Sequence, residues 1–234
     1  MSQTLVKLSN RLTPNQKRFV AEVIGTFIVV VFATGSVVLD SKMHGVLGIS
    51  FIAFAPFVAI AICVYMFGKI SMAHFNPAVT LGFLITKHIT KVQLVYYLCA
   101  EIIGALLGSL FVKYAIGFNA NLGANAPNYS FSIPIVFGIE VLATALLMAV
   151  IFTVVYTKGL RGFGGPAIGG IVGLDIFFFG IYFRRIYESS TFISTCIIFR
   201  RIRKSMALLV CYFCWNINCC LYHKRKICQE CQLI

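Results

Sequence analysis

Charged residues are scarce in this sequence, and acidic residues are scarcer still. Asp and Glu number 7 in 234 residues, and all charged residues together make up 12%, about half the share found in soluble domains. Hydrophobic residues make up 59%. This balance excludes a soluble two-domain enzyme. The formal charge of +13 then belongs to loops between apolar segments, and we expect no nucleic-acid partner.

Glycine and proline are absent from the last part of the chain. None of the 19 Gly or 6 Pro follows Gly180. The segment from Arg184 onward instead holds seven of the nine Cys, nine of the 20 Lys and Arg, and the single residue Trp215. Two different kinds of sequence therefore join near residue 180.

Long apolar runs fill most of the rest. A membrane-spanning helix needs roughly 20 apolar residues, and five runs qualify: Phe19–Leu39, Val46–Phe67, Val92–Ile116, Ser132–Tyr156 and about Pro166–Tyr182. Basic residues gather at alternate ends, beginning before the first run. The positive-inside rule therefore predicts a multi-pass cell-membrane protein with its N-terminus in the cytoplasm.

Two of these spans carry the same acidic pattern. Glu22 precedes Thr26 by four residues, and Glu140 precedes Thr144 by four. Residues four apart share a helix face, so each carboxyl group can point into the protein. The alternative is two unrelated acids near helix ends. Because the first and fourth spans are equivalent in a protein made of two three-span halves, we favour an inverted repeat.

A polar segment lies between the second and third spans. It reads SMAHFNPAVT from Ser71 to Thr80, and the apolar run after it is too short to cross a membrane. Pro77 after Asn76 suits the first turn of a helix, so a half-helix should begin there. The Asn76 amide can donate to water or a hydroxyl group, and the positive helix end repels cations. Taken alone, the segment could equally be an ordinary turn with an interfacial His74.

This segment does not stand alone. AEVIGTF precedes it at residues 21–27, and a pattern of Gln93, Tyr97, Ala100, Glu101, Gly104 and Ala105 follows it. Together the motifs resemble the aquaporin and glycerol-facilitator family, the major intrinsic proteins, over about residues 15–180. Met72 departs from the pattern, since the family commonly has Gly there.

The resemblance implies an all-α membrane protein, an inverted-repeat helical bundle with re-entrant half-helices meeting at paired NPA boxes, usually as a homotetramer. A channel domain would cover residues 1–180, with a first repeat at 15–116 and the start of a second at 132–180. Asn76, Pro77 and Ala78 would form the pore box, His74 would line the pore loop, and Glu22 and Glu140 would brace the two loops. A selectivity region is expected near Phe54, Pro56, Phe57 and Ile176; an apolar Ile176 stands where water-selective members often have His.

The second NPA box and the sixth span of the family are missing from the chain as written. Codons allowed for Phe178 to Thr191, when read one base later, give FLAYISGASMNPAR, which contains the box. The same shift, continued, permits a sixth apolar span, a basic end and a stop codon. We infer a one-base insertion that shifts the frame from about residue 179, so that residues 181–234 form an aberrant basic, Cys-rich tail and the channel is impaired. A real but divergent C-terminus is the alternative.

Three functions remain to be compared. A passive channel for water or small neutral solutes such as glycerol is favoured, with no catalytic residues, cofactor or metal. A secondary transporter would also use inverted repeats, but it needs a coupling-ion site. A zinc-dependent membrane interaction protein would use Cys211, Cys214, Cys228 and Cys231, whose spacing is typical of a zinc ribbon; Cys211 and Cys214, however, lie in an apolar run and the ribbon lacks glycine.

Overall fold

The protein is described by a computed structural model over residues 12–123, 125–128 and 130–185. Five helical segments are long and apolar enough to cross a membrane: Pro14–Lys42, Gly48–Ser71, Lys91–Ile116, Ile133–Tyr156 and Gly164–Tyr182. They coincide with the five predicted runs, which confirms the expected multi-pass architecture.

Apart from a four-residue helical turn at Ala120–Gly123, the α-helices of the described part are, in chain order, α1 (Pro14–Lys42), α2 (Gly48–Ser71), α3 (Pro77–Ile85), α4 (Lys91–Phe111), α5 (Ile133–Tyr156) and α6 (Gly164–Phe179). A π-helical turn at Val112–Ile116 extends α4, and 3₁₀ segments at Lys158–Phe163 and Gly180–Tyr182 flank α6. Two three-residue strands, β1 (Asn125–Pro127) and β2 (Phe183–Arg185), pair antiparallel. Strands this short leave no alternation in the sequence, so the all-α expectation did not include them.

Capping explains where α1 and α4 begin. Thr13 accepts a hydrogen bond from Gln16 N, and the Gln16 side chain accepts from Thr13 N in return. Thr90 and Gln93 form the same reciprocal pair before α4. Each pair satisfies two backbone N–H groups, that of the N-cap residue and that of the third helical residue. The latter is one of the N–H groups that have no partner within the helix.

The first three spans pack closely. Helix α1 contacts both α2 and α4, and α2 also contacts α6. A Cβ atom added at Gly104 of α4 would lie 2.6 Å from the carbonyl oxygen of Val23, and one at Gly108 would lie 3.0 Å from that of Phe27. Glycine at these positions therefore allows the backbones of α1 and α4 to approach, as small residues do between membrane helices.

Helix α5 is much less buried by the rest of the protein than α1 and α4 are. Only 11% of its apolar window is buried, compared with 44% in α1 and in the α4 segment. Its contacts are mainly with α6. Within the described part of the chain, the bundle therefore has a closely packed first half of three spans and a less buried second half of two spans.

Candidate functional site

The half-helix α3 begins where the sequence predicts. Asn76 is its N-cap, with φ −153° and ψ 124°, and Pro77 occupies the first turn. The Asn76 Oδ1 atom accepts a hydrogen bond from Ala78 N at 2.9 Å. This bond fixes the amide plane and leaves Nδ2 as the outward donor, with no hydrogen-bond partner among the described residues.

The loop leading to α3 has an unusual backbone. Met72, Ala73 and Phe75 have φ values of 65°, 54° and 51°, in the left-handed region that costs a non-glycine residue about 1–2 kcal/mol. Met72 is the position where the resembling family commonly has glycine. A conformation this strained persists only where surrounding contacts hold it.

Glu22 of α1 supplies two of those contacts. Its Oε1 accepts a hydrogen bond from His74 N at 3.0 Å, and its Oε2 accepts one from Phe75 N at 2.8 Å. The side chain is completely buried. Loop N–H groups that the left-handed backbone would otherwise leave unpaired are thereby satisfied.

A second buried chain of hydrogen bonds holds the His74 imidazole. Its Nδ1 atom lies 2.9 Å from Thr80 Oγ1, and this hydroxyl donates to Glu101 Oε1 at 2.6 Å. The ring stacks between Phe83 and Tyr97, with centroid distances of 4.5 and 4.3 Å. His74 Nε2 and Glu101 Oε2 have no partner among the described residues.

Three residues near the loop have structural roles that were not predicted from the sequence: Ser71, Thr80 and Tyr97. The Tyr97 hydroxyl donates to the carbonyl oxygen of Ser71 at 2.6 Å and is buried. This bond ties the end of α2 to α4 just before the loop. In the sequence, these three residues are visible only as polar residues among apolar ones. That pattern does not show which groups their side chains bind.

A cavity of about 110 Å³ lies beside the N-terminus of α3. On this measure a single water molecule needs only about 10–15 Å³, so the cavity has room for several. Its wall is mostly apolar and comes from α1, α2, the loop, α3, α4, α5 and α6, with a few polar residues: Thr26, Thr34, His74, Asn76 and Ser109. The Thr26 hydroxyl is buried without a partner among the described residues.

The structure separates the residues of the expected selectivity region on α2. Pro56 is buried and lines the cavity. Phe54 is 60% exposed and faces away from it, because residues two apart lie about 200° apart around a helix. Phe57 packs against α6, where a Cβ at Gly169 would lie 3.0 Å from its ring. Phe54 and Phe57 therefore lie outside this cavity, and their part in a selectivity region stays a prediction.

Ile176 also falls outside the cavity. It is half-buried on α6, and the cavity-lining residues of that helix are Val172 and Ile168, about one and two turns earlier. The sequence interpretation placed it in the fifth span as an apolar member of the expected selectivity region, and this role stays a prediction.

Glu140 differs from Glu22 in the structure. It is half-buried on α5, and its carboxyl group has no hydrogen bond among the described residues. Its predicted partner, a second loop after Gly180, lies largely outside the described residues. The proposed zinc ligands of the tail lie outside them as well. Among the described residues no group of three His, Cys, Asp or Glu could hold a metal ion.

Apolar spans, a half-helix that starts inside the bundle and a cavity at its positive end define a membrane channel or transporter built on repeats. The family model described as major intrinsic protein matches residues 9–184. The chain belongs to this family. The matched segment ends close to Gly180, where the composition changes.

Named relatives agree with this assignment. The chain is 34% identical to glycerol uptake facilitator protein-like 6 of Lactiplantibacillus plantarum, over 65% of this chain and 70% of the relative. It is 37% identical to probable aquaporin AqpM of Archaeoglobus fulgidus, over 67% and 73%. The solved structure of the aquaglyceroporin from Plasmodium falciparum superposes with a TM-score of 0.61 at 24% identity, covering 71% of this chain and 72% of that one, and supports the fold.

Proposed function

We propose that this chain forms a passive transmembrane channel for water and small neutral solutes such as glycerol. Membership of the major intrinsic protein family supports the class of function. The observation that carries the proposal is the Asn76 amide, which lines the cavity with its Nδ2 atom free among the described residues.

The cavity chemistry matches such a solute. Asn76 Nδ2 can donate to a water or hydroxyl oxygen, and the apolar walls offer little to a charged species. The N-terminus of α3 carries the positive end of a helix dipole, which disfavours protons and other cations. A transported ion would need a charged partner, and the cavity lining contains no Asp, Glu, Lys or Arg among the described residues.

Selectivity in this proposal depends on Pro56 and Ile176. Pro56 narrows the cavity from α2 without adding a hydrogen-bond donor. Ile176, next to the re-entrant loop of a frame-restored chain, is apolar. Two apolar contributors do not favour water over glycerol, so we do not expect strict water selectivity.

The second NPA box decides whether the chain conducts. We propose that residues 1–180 are the channel domain, that the frame is shifted from about residue 179, and that the chain as written conducts poorly. The half-repeat supports this proposal, and so does Glu140, whose carboxyl group makes no hydrogen bond to the residues that the structure describes. The second half thus contains an acid suited to a loop that this frame does not encode.

The proposal also covers the orientation of the chain in the membrane and its oligomeric state. The N-terminus faces the cytoplasm, because Lys and Arg gather at that end of successive spans. The family resemblance suggests a homotetramer in the cell membrane.

Asn76→Asp in the frame-restored chain tests the proposal. A carboxylate accepts where the amide donates and must be desolvated in the cavity, so we expect permeability to water and glycerol to fall at least tenfold in stopped-flow measurements on proteoliposomes. Asn119→Asp, at an exposed loop position, is the matched control and should conduct normally. Unchanged permeability of Asn76→Asp at equal protein abundance contradicts the role of Asn76, and flux that depends on an ion gradient would favour a transporter.

A further inference from the structure

One end of the molecule carries many basic residues and no acidic ones within the described range. Successive spans alternate in direction, so the beginnings of α1, α4 and α6 share an end with the termini of α2 and α5. The basic residues at this end are Lys17, Arg18, Lys69, Lys87, Lys91, Lys158 and Arg161. The five acidic residues of the described part lie within the bundle or toward the other end: Glu22, Asp40, Glu101, Glu140 and Asp175.

Three exposed lysines at this end have no internal partner. Lys69, Lys87 and Lys91 are exposed, and none makes a side-chain hydrogen bond or ion pair with a described residue. Helices α1, α4 and α6 begin here without an acidic residue in the first turn. Lys91 is the first residue of α4, where a cation is unfavourable next to the helix N-terminus, so helix stability does not explain its charge. Lys69 lies in the last turn of α2, where the helix dipole favours a cation.

Lys87 occupies a position that normally favours glycine. Its φ of 61° closes the C-terminus of α3, with His88 N donating to Phe83 O at 2.8 Å and Lys87 N donating to Leu84 O at 3.0 Å. This is the Schellman pattern, whose left-handed residue is usually Gly. A lysine here strains the backbone, and its side chain makes no compensating hydrogen bond or ion pair in the described part.

Exposed tyrosines place this end at a membrane surface. Tyr65 is 56% exposed, Tyr96 is 43% exposed and Tyr156 is 61% exposed. Each lies within five residues of a basic residue of this end. Tyrosine is enriched at the level of lipid headgroups, so the lysines lie where phosphate groups of lipids are found.

We propose that Lys69, Lys87 and Lys91, which we name the basic rim, bind the headgroups of anionic lipids in the adjoining leaflet. Ammonium groups pair with lipid phosphate, and lysines at a membrane surface are attracted to anionic lipid. The exposed lysines without an ion pair in the described part, the unfavourable position of Lys91 at the start of α4 and the interfacial tyrosines together point to a negative partner outside the chain. The proposal does not depend on which solute the channel carries.

Binding of short-chain lipids to the purified full chain in detergent tests the rim. We expect phosphatidylglycerol to bind more tightly than phosphatidylcholine, and each Lys→Gln change in the rim to reduce that preference by up to about fivefold. Lys42→Gln is the matched control at the other end, where Lys42 Nζ donates to Ile116 O at 2.8 Å. It should leave the preference unchanged.

Several results would overturn the proposal. One is a triple variant, Lys69→Gln, Lys87→Gln, Lys91→Gln, that still prefers phosphatidylglycerol over phosphatidylcholine as the unmodified chain does. Another is a Lys42→Gln variant that loses as much of this preference as the rim variants. Inorganic phosphate that displaces phosphatidylglycerol would indicate a small-anion site instead. Lys87→Gly separates binding from folding: it should raise thermal stability in phosphatidylcholine by relieving strain, yet lower the preference for phosphatidylglycerol. A decrease in both thermal stability and lipid preference contradicts the account, and so does a decrease in neither.

Discussion

Replacing Glu22 by Gln probes the link between α1 and the re-entrant loop. Glu22 offers two oxygens to the N–H groups of His74 and Phe75. Glutamine keeps one acceptor oxygen and places an NH₂ group against the second N–H. One hydrogen bond is lost, and a buried donor is left facing another donor.

The magnitude follows from these two effects. A hydrogen bond to a charged group contributes about 1.5–3 kcal/mol, and an unsatisfied buried donor costs about 1–3 kcal/mol. Removing a buried charge offsets part of this loss, so we expect a net cost of about 2–4 kcal/mol. For a chain of this size that is about 5–15 °C in thermal midpoint, with lower folded yield. In the frame-restored chain, we expect little change in permeability per folded channel.

Glu140→Gln is the internal control, since it changes the same residue type in the same four-residue pattern. In the chain as written it has no described hydrogen bond to lose and should cost less than about 1 kcal/mol. Fluorescence-detected gel filtration after heating compares the two variants in one detergent. Equal stability of both variants, or a Glu22→Gln protein as stable as the unmodified chain, would refute the reasoning. In the frame-restored chain, we expect both substitutions to destabilise.

Two further substitutions test other contacts of the loop, with Gly25 of α1 and with Tyr97 of α4. Gly25→Ala adds a Cβ that overlaps the Phe75 ring, so it should cost about 1–3 kcal/mol and, in the frame-restored chain, lower permeability in stopped-flow assays. Normal permeability of this variant would show that the loop shifts freely. Tyr97→Phe removes the hydrogen bond to Ser71 O. It should lower the free energy of unfolding by about 1–2 kcal/mol and the thermal midpoint by a few degrees. An unchanged midpoint would show that water replaces the hydroxyl group.

Local features of this fold could be predicted from the sequence. The start of α3 follows from Asn76 and Pro77, because both act within one helical turn. The five spans follow from the length and hydropathy of each run. In each case the controlling interactions lie between residues close together in the chain or between the chain and lipid.

Contacts between distant residues could not be predicted in the same way. Glu22 meets His74 from 52 positions away, and an i, i+4 pattern indicates a face without naming its partner. Phe54 was placed beside Pro56 by counting along the chain, but helix phase turns it away from the cavity. The role of Glu101 was missed because its bond to Thr80 depends on how α3 packs against α4.

Osmotic shrinkage of proteoliposomes tests the central claim, that the re-entrant loop at Asn76 forms half of a passive pore which this reading frame leaves incomplete. The chain as written and its frame-restored version are reconstituted at equal abundance, and water and glycerol permeability are measured by stopped-flow light scattering. The account predicts high permeability for the restored chain and values near protein-free vesicles for the chain as written. Equal permeability per protein would contradict it.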